Sequence, residues 1–596
     1  MKKIKEQWML HTKKADFSGL GAKLGVDPVL IRIMRNRNLV TENEFRHFLY
    51  DTPADMHDPW LLKDMRRAVN LILAALGAGT RIRIISDYDI DGVCSGAILL
   101  RGLKSLGADV DLAIPNRIMD GYGINDSLIG QAYDDGIGMI ITCDNGIAAV
   151  DAIRYAKELG LTVIVTDHHD IPFEETATDK CEILPPADAI INPKQSDCEY
   201  PCKHLCGGGV AYKLMDALFR QVGRGETAVL PLLELAAIAT IGDIVDLQGE
   251  NRIIARYGLQ MIRESKYIGV RKLAEVNQIA LDTISAYHIG FILGPCLNAS
   301  GRLDSAKMAA ELLLLDGADA EKQAENIALQ LKELNDIRKA MTNEGVEEAK
   351  KQLDFYADDQ VLVLYLPNCH ESLAGIIAGR IREYCYKPTI ILTNAEEGAK
   401  GSARSIEAYN MFEKLSQCKD LMTKFGGHPM AAGLSLPEEN IDILRKRLNA
   451  QANLSEKDLT PKTYIDLRMS LKHVSETLIE ELKILEPFGK ANEKPVFAER
   501  HLSVVRLGVL GKKRNVIRMT FEDETGLRMD GIAFGDSEEI LETAKCDCGA
   551  EAVEAALAGR TNPIYADILF EPSVNEYLGR RTLQLRLLSF RFCAES

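Results

Sequence analysis

Three aspartates at alternate positions, Asp87, Asp89 and Asp91, close the short apolar run Arg81-Ile-Arg-Ile-Ile-Ser86. Alternate residues of an extended chain project to one side, so the three carboxylates would crowd together where a strand ends. That crowding is costly unless a cation offsets it. Hard divalent ions take oxygen ligands, and open α/β sheets place their sites at the carboxyl ends of their strands. The D-x-D-x-D-G spacing also opens an EF-hand calcium loop, which needs a helix in front and a bidentate Glu at its twelfth position. Here a strand pattern precedes it and the twelfth position is Ile98, so a catalytic metal cluster is the better reading; a solvated acidic turn is the plain alternative.

Further ligands follow in the same register. The apolar run 137–143 reaches Asp144-Asn145-Gly146, and the run 161–166 reaches Asp167-His168-His169. If these strands are parallel, their ends share one sheet edge. Adjacent residues project differently, so one of His168 and His169 can ligate while the other faces substrate. The run 236–241 leads to Asp243 and Asp246; spacing does not choose between them, and a lone Asp there is a helix cap more often than a ligand. Asp87, Asp89, Asp91, Asp144, His168 and one of Asp243 or Asp246 make a set larger than one open catalytic ion needs. Two divalent ions about 3.5–4 Å apart, sharing a carboxylate, are a device for hydrolysing phosphate esters. The mixed carboxylate and imidazole set suits manganese, with magnesium as the alternative.

Downstream, Ser402 and Arg404 stand two apart in Lys400-Gly-Ser-Ala-Arg-Ser405 and can face one way from a strand. Hydroxyl and guanidinium both donate to phosphate oxygens. Phe425-Gly-Gly-His428 leaves room for close backbone approach beside His428. No acid occurs from Arg500 through Phe521, and Lys512, Lys513 and Arg514 fall at the turn of a hairpin pattern. This is the clearest positive patch in a chain of net charge −16, which argues against a uniformly basic nucleic-acid binder. Cys198, Cys202 and Cys206 surround His204 at spacings that suit zinc poorly.

The elements that must position these residues follow from periodicity. A chain of 596 residues, 46% hydrophobic and 27% charged, is multidomain and of globular composition. Strand patterns at 81–86, 109–114, 138–143, 161–166 and 188–191 alternate with helical stretches, which predicts an α/β, doubly wound parallel sheet. Residues 321–352 form a long helical pattern with Ala324, Ile327, Leu331, Leu334, Arg338 and Met341 on one side, read as a connecting helix between two lobes. The expected segments are a helical one at 1–76 packed on the first lobe, that lobe at 77–265, a helical region at 266–352, a smaller α/β domain at 353–455 and a β-rich end at 456–596. No apolar run approaches the ~20 residues of a membrane span, the N-terminus lacks a signal-peptide core, and the scattered cysteines suggest reduced thiols, so the expected location is cytoplasmic.

Taken in order, Asp87-Tyr-Asp89-Ile-Asp91-Gly92, Asp144-Asn145-Gly146 and Asp167-His168-His169 resemble the DHH phosphoesterase superfamily, and within it the exonucleases specific for single-stranded DNA. The resemblance extends through Pro115-Asn-Arg117 with Gly121-Tyr122-Gly123, 205–211, Asn298-Ala-Ser-Gly-Arg302, Ser402-Ala-Arg404 and Phe425–His428 to an OB-like end. It implies a DHH domain, a DHHA1-type second domain and a C-terminal barrel. It also implies metals on Asp87, Asp89, Asp91, Asp144, His168 and Asp243, with Asp144 bridging, Asp167 orienting the histidines and His169 meeting the scissile phosphate or the leaving group. Arg117, Arg302, Ser402, Arg404 and His428 would take a 5′-phosphate, and Lys512, Lys513 and Arg514 would touch DNA. The implied activity is 5′→3′ hydrolysis of single strands to mononucleotides in DNA repair and recombination. The implied partners are single-strand-binding protein and a RecQ-type helicase, with no membrane and a monomeric enzyme. The other readings are a phosphodiesterase of short oligonucleotides, cyclic dinucleotides or pyrophosphate, and a non-catalytic DNA-binding scaffold. Ile90, Ser300 and Cys369 depart from the family pattern; the last leaves His370 without an assigned role.

Overall fold

The computed structural model describes residues 6–117, 123–175, 180–395, 397–512, 514–577 and 579–594; Gly121, Tyr122 and Lys513 lie outside them. Two compact units result, one spanning Thr52–Pro461, the other joining Glu6–Asp51 to the segment from Lys462 onward.

The first unit opens on five parallel strands: β1 (Ile82–Ser86), β2 (Val110–Ala113), β3 (Met139–Cys143), β4 (Thr162–Thr166) and β5 (Ala189–Ile191), in the order β2-β1-β3-β4-β5. Register aligns Ile82 with Val110 and Met139, and Met139 with Thr162. Alternate residues enter separate cores: Ile82, Ile84, Met139, Ile141 and Ile164 pack on one side, Ile85, Ile140, Val163 and Val165 on the other. A sheet buried on both faces needs largely apolar strands; the exception is toward the β2 edge, where Arg83 of β1 pairs with Asp111 of β2 at 2.7 Å. Helices α1 (Ile90–Ser105), α2 (Gly207–Gln221), α3 (Leu233–Gly242) and α4 (Gly294–Leu303) follow.

Helix α5 (Glu321–Gln352) is shared by two cores. Ala324, Ile327, Ala328 and Leu331 belong to the core of the parallel sheet, whereas Val346 and Ala349 pack with Leu364 and Ile377 of the second lobe. That lobe carries β6 (Leu362–Tyr365), α6 (Ala374–Cys385), β7 (Thr389–Asn394), β8 (Ala399–Arg404), β9 (Lys424–His428) and β10 (Ala431–Leu436), in the sheet order β9-β10-β8-β7-β6. On β8, Ala399 and Ala403 fill a core, so Ser402 and Arg404 point to the opposite face.

The second unit is a barrel. Strands β11 (Leu467–Arg468), β12 (Phe497–Leu510), β13 (Val516–Glu522), β14 (Arg528–Phe534), β15 (Ile564–Tyr577) and β16 (Arg580–Ala594) run β11-β12-β13-β14-β16-β15, and β12 also pairs with β15, closing the sheet on itself. This is the arrangement expected of an OB-like fold.

One expectation fails. Residues 1–76 do not form a single segment on the first lobe. Leu30, Ile31, Ile33, Met34 and Phe45 share a core with Leu471, Phe497 and Phe521 of the barrel, while Met65–Ala75 packs under the parallel sheet. Arg37 pairs with the buried Asp466 at 2.9 Å, and Asn36 donates to the same carboxylate at 2.9 Å. A buried carboxylate must be paired, and these early helices supply its partners.

Candidate metal centre and phosphate pocket

The acidic cluster forms by a strand-to-helix turn, which corrects the extended geometry expected of it. β1 stops at Ser86. Asp89 caps α1, its Oδ1 accepting from the Asp91 and Gly92 N–H groups at 2.9 and 3.2 Å, and Asp91 lies inside the first helical turn. Asp91 therefore points back across the sheet edge, where its two oxygens accept the Gly207 and Gly208 N–H groups of α2 at 2.6 and 2.7 Å. Only glycine allows that approach: a Cβ at Gly207 would lie 2.7 Å from Asp144 Cβ. The helix start also favours the negative charge of Asp91.

The other ligand candidates arrive from neighbouring strand ends. Asp144 follows β3 with φ 60°. Asn145 fixes the turn by donating to the Ile85 and Cys143 carbonyls at 3.1 and 2.8 Å. His168 follows β4, and its Nε2 lies 3.0 Å from Asp144 Oδ1, 3.5 Å from Asp91 Oδ2 and 3.8 Å from Asp243 Oδ2. Among the described residues, three overlapping sets could each hold an ion: Asp87-Asp89-Asp144, Asp91-His168-Asp243 and Asp144-His168-His169. Asp144 and His168 each occur in two of them. Asp243, at the end of α3, joins a set and Asp246 joins none, so the placement separates what spacing left open.

The charge balance of the cluster fits cations. Asp87 Oδ1 and His168 Nε2 are buried without a hydrogen bond of good geometry. Burial first, then mutual repulsion, raises the carboxyls of Asp87, Asp89 and Asp144, and moves Asp243 up to about 8. Carboxylates so placed ionise fully only beside positive charge. Asp167 differs: burial works against its charge, but the His169 hydrogen bond and backbone N–H donors outweigh it and hold the carboxyl at about 2. Burial likewise opposes charge on His169, yet the 2.8 Å contact of Nδ1 with Asp167 raises the imidazole to about 9. Because protons compete with the ion for the raised carboxylates, manganese affinity is expected to climb steeply from pH 6 to pH 8. Calorimetry in buffers of different ionisation enthalpy should show proton release on binding.

Beside this centre stands a group of arginines. Arg117 lies over the Tyr88 ring at 4.9 Å. Arg302, at the end of α4, donates to the Ser372 carbonyl of the second lobe at 2.8 Å. Burial first, then repulsion from Arg117 and Arg338, lowers Arg302 to about 10. Arg404 donates to Ser402 Oγ at 2.9 Å, and a Cβ at Gly375, in the first turn of α6, would lie 2.9 Å from Arg404 Nη2. Ser372 and Gly375 flank the start of α6, so that one short stretch touches both Arg302 and Arg404. Clustered guanidiniums at a helix start make an anion site. His428 is exposed on β9, and the Asp170 carboxyl is lowered first by its Lys194 hydrogen bond. His370 caps the turn before α6, with Nδ1 2.8 Å from Ser372 Oγ.

Some contributors had no assigned role in the sequence reading. Gly207 and Gly208 act through backbone N–H groups, which leave no side-chain pattern. Asn298 accepts the Ile90 N–H at 2.7 Å, bracing the acidic turn from α4. Arg338 interrupts the apolar stripe of α5 and is buried, with Nε donating to Asn335 at 3.0 Å; a charge on an apolar stripe was the available signal. Lys512 and Arg514 are exposed at the turn between β12 and β13. The cysteine cluster serves packing: Cys206 Sγ accepts the Gly209 N–H at 3.4 Å, and Cys198 Sγ accepts that of Lys63 at 3.5 Å.

Comparison with known proteins agrees with this assembly. The DHH family N-terminal domain matches residues 81–241, the DHHA1 domain 358–454 and the RecJ OB domain 465–589. The single-stranded-DNA-specific exonuclease RecJ of Haemophilus influenzae is 33% identical over 95% of this chain and 96% of its own length. The chain belongs to the RecJ family. The RecJ of Bacillus subtilis is 37% identical over 90% of this chain, which spans 66% of that relative's length. The crystal structure of RecJ from Thermus thermophilus with Mn2+ superposes with a TM-score of 0.79 at 26% identity, covering 98% of this chain and 79% of that one. The same protein, solved with Mg2+, gives a TM-score of 0.74. Among the described residues, no helix is long and apolar enough to cross a membrane.

Proposed function

We propose that this chain is a metal-dependent exonuclease that degrades single-stranded DNA from its 5′ end to mononucleotides. One observation carries the reading: Arg302 reaches Ser372 beside the Arg404 pocket while α4, which bears it, braces the acidic turn through Asn298. A terminal phosphate and the next phosphodiester are thereby held by one rigid piece.

Asp87, Asp89, Asp91, Asp144, His168 and Asp243 would hold two divalent ions, manganese first and magnesium as the alternative, with Asp144 shared. When bound, such ions supply Lewis acidity and a water of lowered pKa. The chain's own groups do the rest. Gly207 and Gly208 fix the Asp91 carboxylate, so the ligand geometry needs no reorganisation during reaction. Asp167 engages His169 Nδ1 at 2.8 Å, which orients the ring so that Nε2 can face the scissile phosphate or the departing 3′ oxygen. Arg117, Arg302, Ser402 and Arg404 capture the 5′-phosphate, with His428 lining the same side. That sets the polarity and the length of each cut. The barrel binds the strand through Lys512, Lys513 and Arg514.

The deciding assay is manganese-dependent release of mononucleotides from 5′-labelled single strands, run beside duplex, dinucleotide and pyrophosphate. Equal or better turnover of the small substrates would replace this reading with a small-molecule phosphodiesterase; no turnover at all would leave a scaffold. Reversing the hairpin charges, Lys512→Glu with Arg514→Glu, should weaken binding of long strands and reduce the salt slope by about 1–2, as read by fluorescence anisotropy. The proposal includes cytoplasmic repair and recombination work beside single-strand-binding protein and a RecQ-type helicase. It also takes the enzyme as a monomer.

A further inference from the structure

We infer that Tyr287 and Phe291 form a stacking platform for the bases of the incoming single strand, on the side of the metal centre away from the phosphate pocket; this rests on the exonuclease reading above. The two rings are 60% and 70% exposed, yet they stack on each other with centroids 5.1 Å apart and planes at 25°. Exposed aromatic surface is unfavourable in water, and a preformed pair of flat apolar rings suits a partner that is itself flat.

The local backbone presents these rings deliberately. Ile289–Leu293 forms a π-helical turn that runs directly into α4, with Ile289 and Leu293 in the core and Phe291 outside. Such turns are rare and concentrate at functional sites. This one packs against the end of α3: a Cβ at Gly290 would lie 3.9 Å from Ile241 Cγ2, two residues before Asp243. Directly after Asp243, Ile244 is 67% exposed with φ 57°. A β-branched residue in that region is strained, and strain of this kind persists where function demands it. The metal centre is thus bordered on this side by exposed apolar groups.

Helix α4 orders the parts along one line. Phe291 precedes it, Asn298 braces the acidic turn at its middle, and Arg302 reaches the phosphate pocket from its end. At 1.5 Å per residue, Asn298 stands about 10 Å from Phe291 and about 6 Å from Arg302. For a strand whose 5′-phosphate is in the arginine pocket and whose first phosphodiester is at the metals, continuing in line with this helix leads toward Tyr287 and Phe291. Base–aromatic stacking tolerates any sequence because every base has a π face, which suits an enzyme that removes all four nucleotides. The bases of the third and following nucleotides are the occupant.

The test is the double variant Tyr287→Ala/Phe291→Ala. Both residues are exposed, so its melting temperature should equal that of the parent. With a long 5′-phosphorylated strand, KM should rise about tenfold at unchanged kcat; with a 5′-phosphorylated dinucleotide, too short to reach the rings, neither constant should move. The parent acting on a strand made abasic beyond its second nucleotide should lose the same factor, the variant none, and Trp at both positions should restore the parent values. Unchanged KM on the long strand, or an equal loss on the dinucleotide, overturns the platform. So does dissociation of a dimer in the variant at unchanged turnover, which would give the rings to a second copy. If the parent hydrolyses nothing, anisotropy of base-bearing against abasic strands still decides the question.

Discussion

Replacing Asp144 by Ala should abolish hydrolysis at every manganese concentration while leaving the fold intact. Asp144 joins two of the three overlapping ligand sets and lies 3.0 Å from His168 Nε2, so under the proposed two-ion arrangement its loss would remove a shared donor. The effect should exceed the roughly 10²–10³-fold that loss of a single electrostatic contact costs an enzyme. Excess metal should not rescue it, because the missing carboxylate would serve both ions. The metal-free variant should melt no lower than the metal-free parent. Burial and the charges of Asp91, Asp89 and Asp87 raise the Asp144 carboxyl well above its usual range, and a carboxylate held so high in the fold opposes folding at any pH above its unfolded value. Turnover measured across a manganese titration, with a melting curve of each protein in chelator, checks both halves. Residual activity that rises with metal would remove the shared role.

The second large effect is expected at the pocket. Arg404→Ala should cut kcat/KM for 5′-phosphorylated strands by about 30–100-fold, from loss of charge-assisted hydrogen bonds worth roughly 1.5–3 kcal/mol. Turnover of 5′-hydroxyl strands should barely change, so the preference for a phosphorylated end collapses. The variant should fold as well as the parent: Arg404 is held below its normal pKa first by burial and then by the Arg382 charge, and it donates to Ser402 Oγ and the Ala403 carbonyl without an acidic partner among the described residues. Paired rates on the two kinds of end provide the measurement. An unchanged ratio would show that the arginines serve packing alone.

Much of this was readable from residues because the first lobe is a parallel sheet. Its central strands are buried on both faces, so they appear as mainly apolar runs ended by Asp, and parallel direction brings those ends together. The five strands fall within a residue or so of the expected bounds. The second lobe was legible at Ser402 and Arg404 because strand alternation separates them from Ala399 and Ala403. What escaped had no local pattern. Asp91 was placed on a strand although it lies in a helix, because three alternate acids mimic extended periodicity. The early helices were assigned to the wrong neighbour, since an amphipathic face does not name its partner. Their apolar faces join the barrel's core, and their partner carboxylate, Asp466, lies more than four hundred residues away. The donors to Asp91 are peptide N–H groups, which every residue but proline owns.

Helix α5 sets a mechanical condition on the product. Because one 32-residue rod is rooted in the hydrophobic interior of both lobes, the spacing between the anchor for the chain end and the point of scission is a fixed gauge, indifferent to which base is being removed. Fragment size then becomes a property of helix register: adding or deleting a residue within the rod should change the length of what is released, or halt release, without altering a single group that touches DNA.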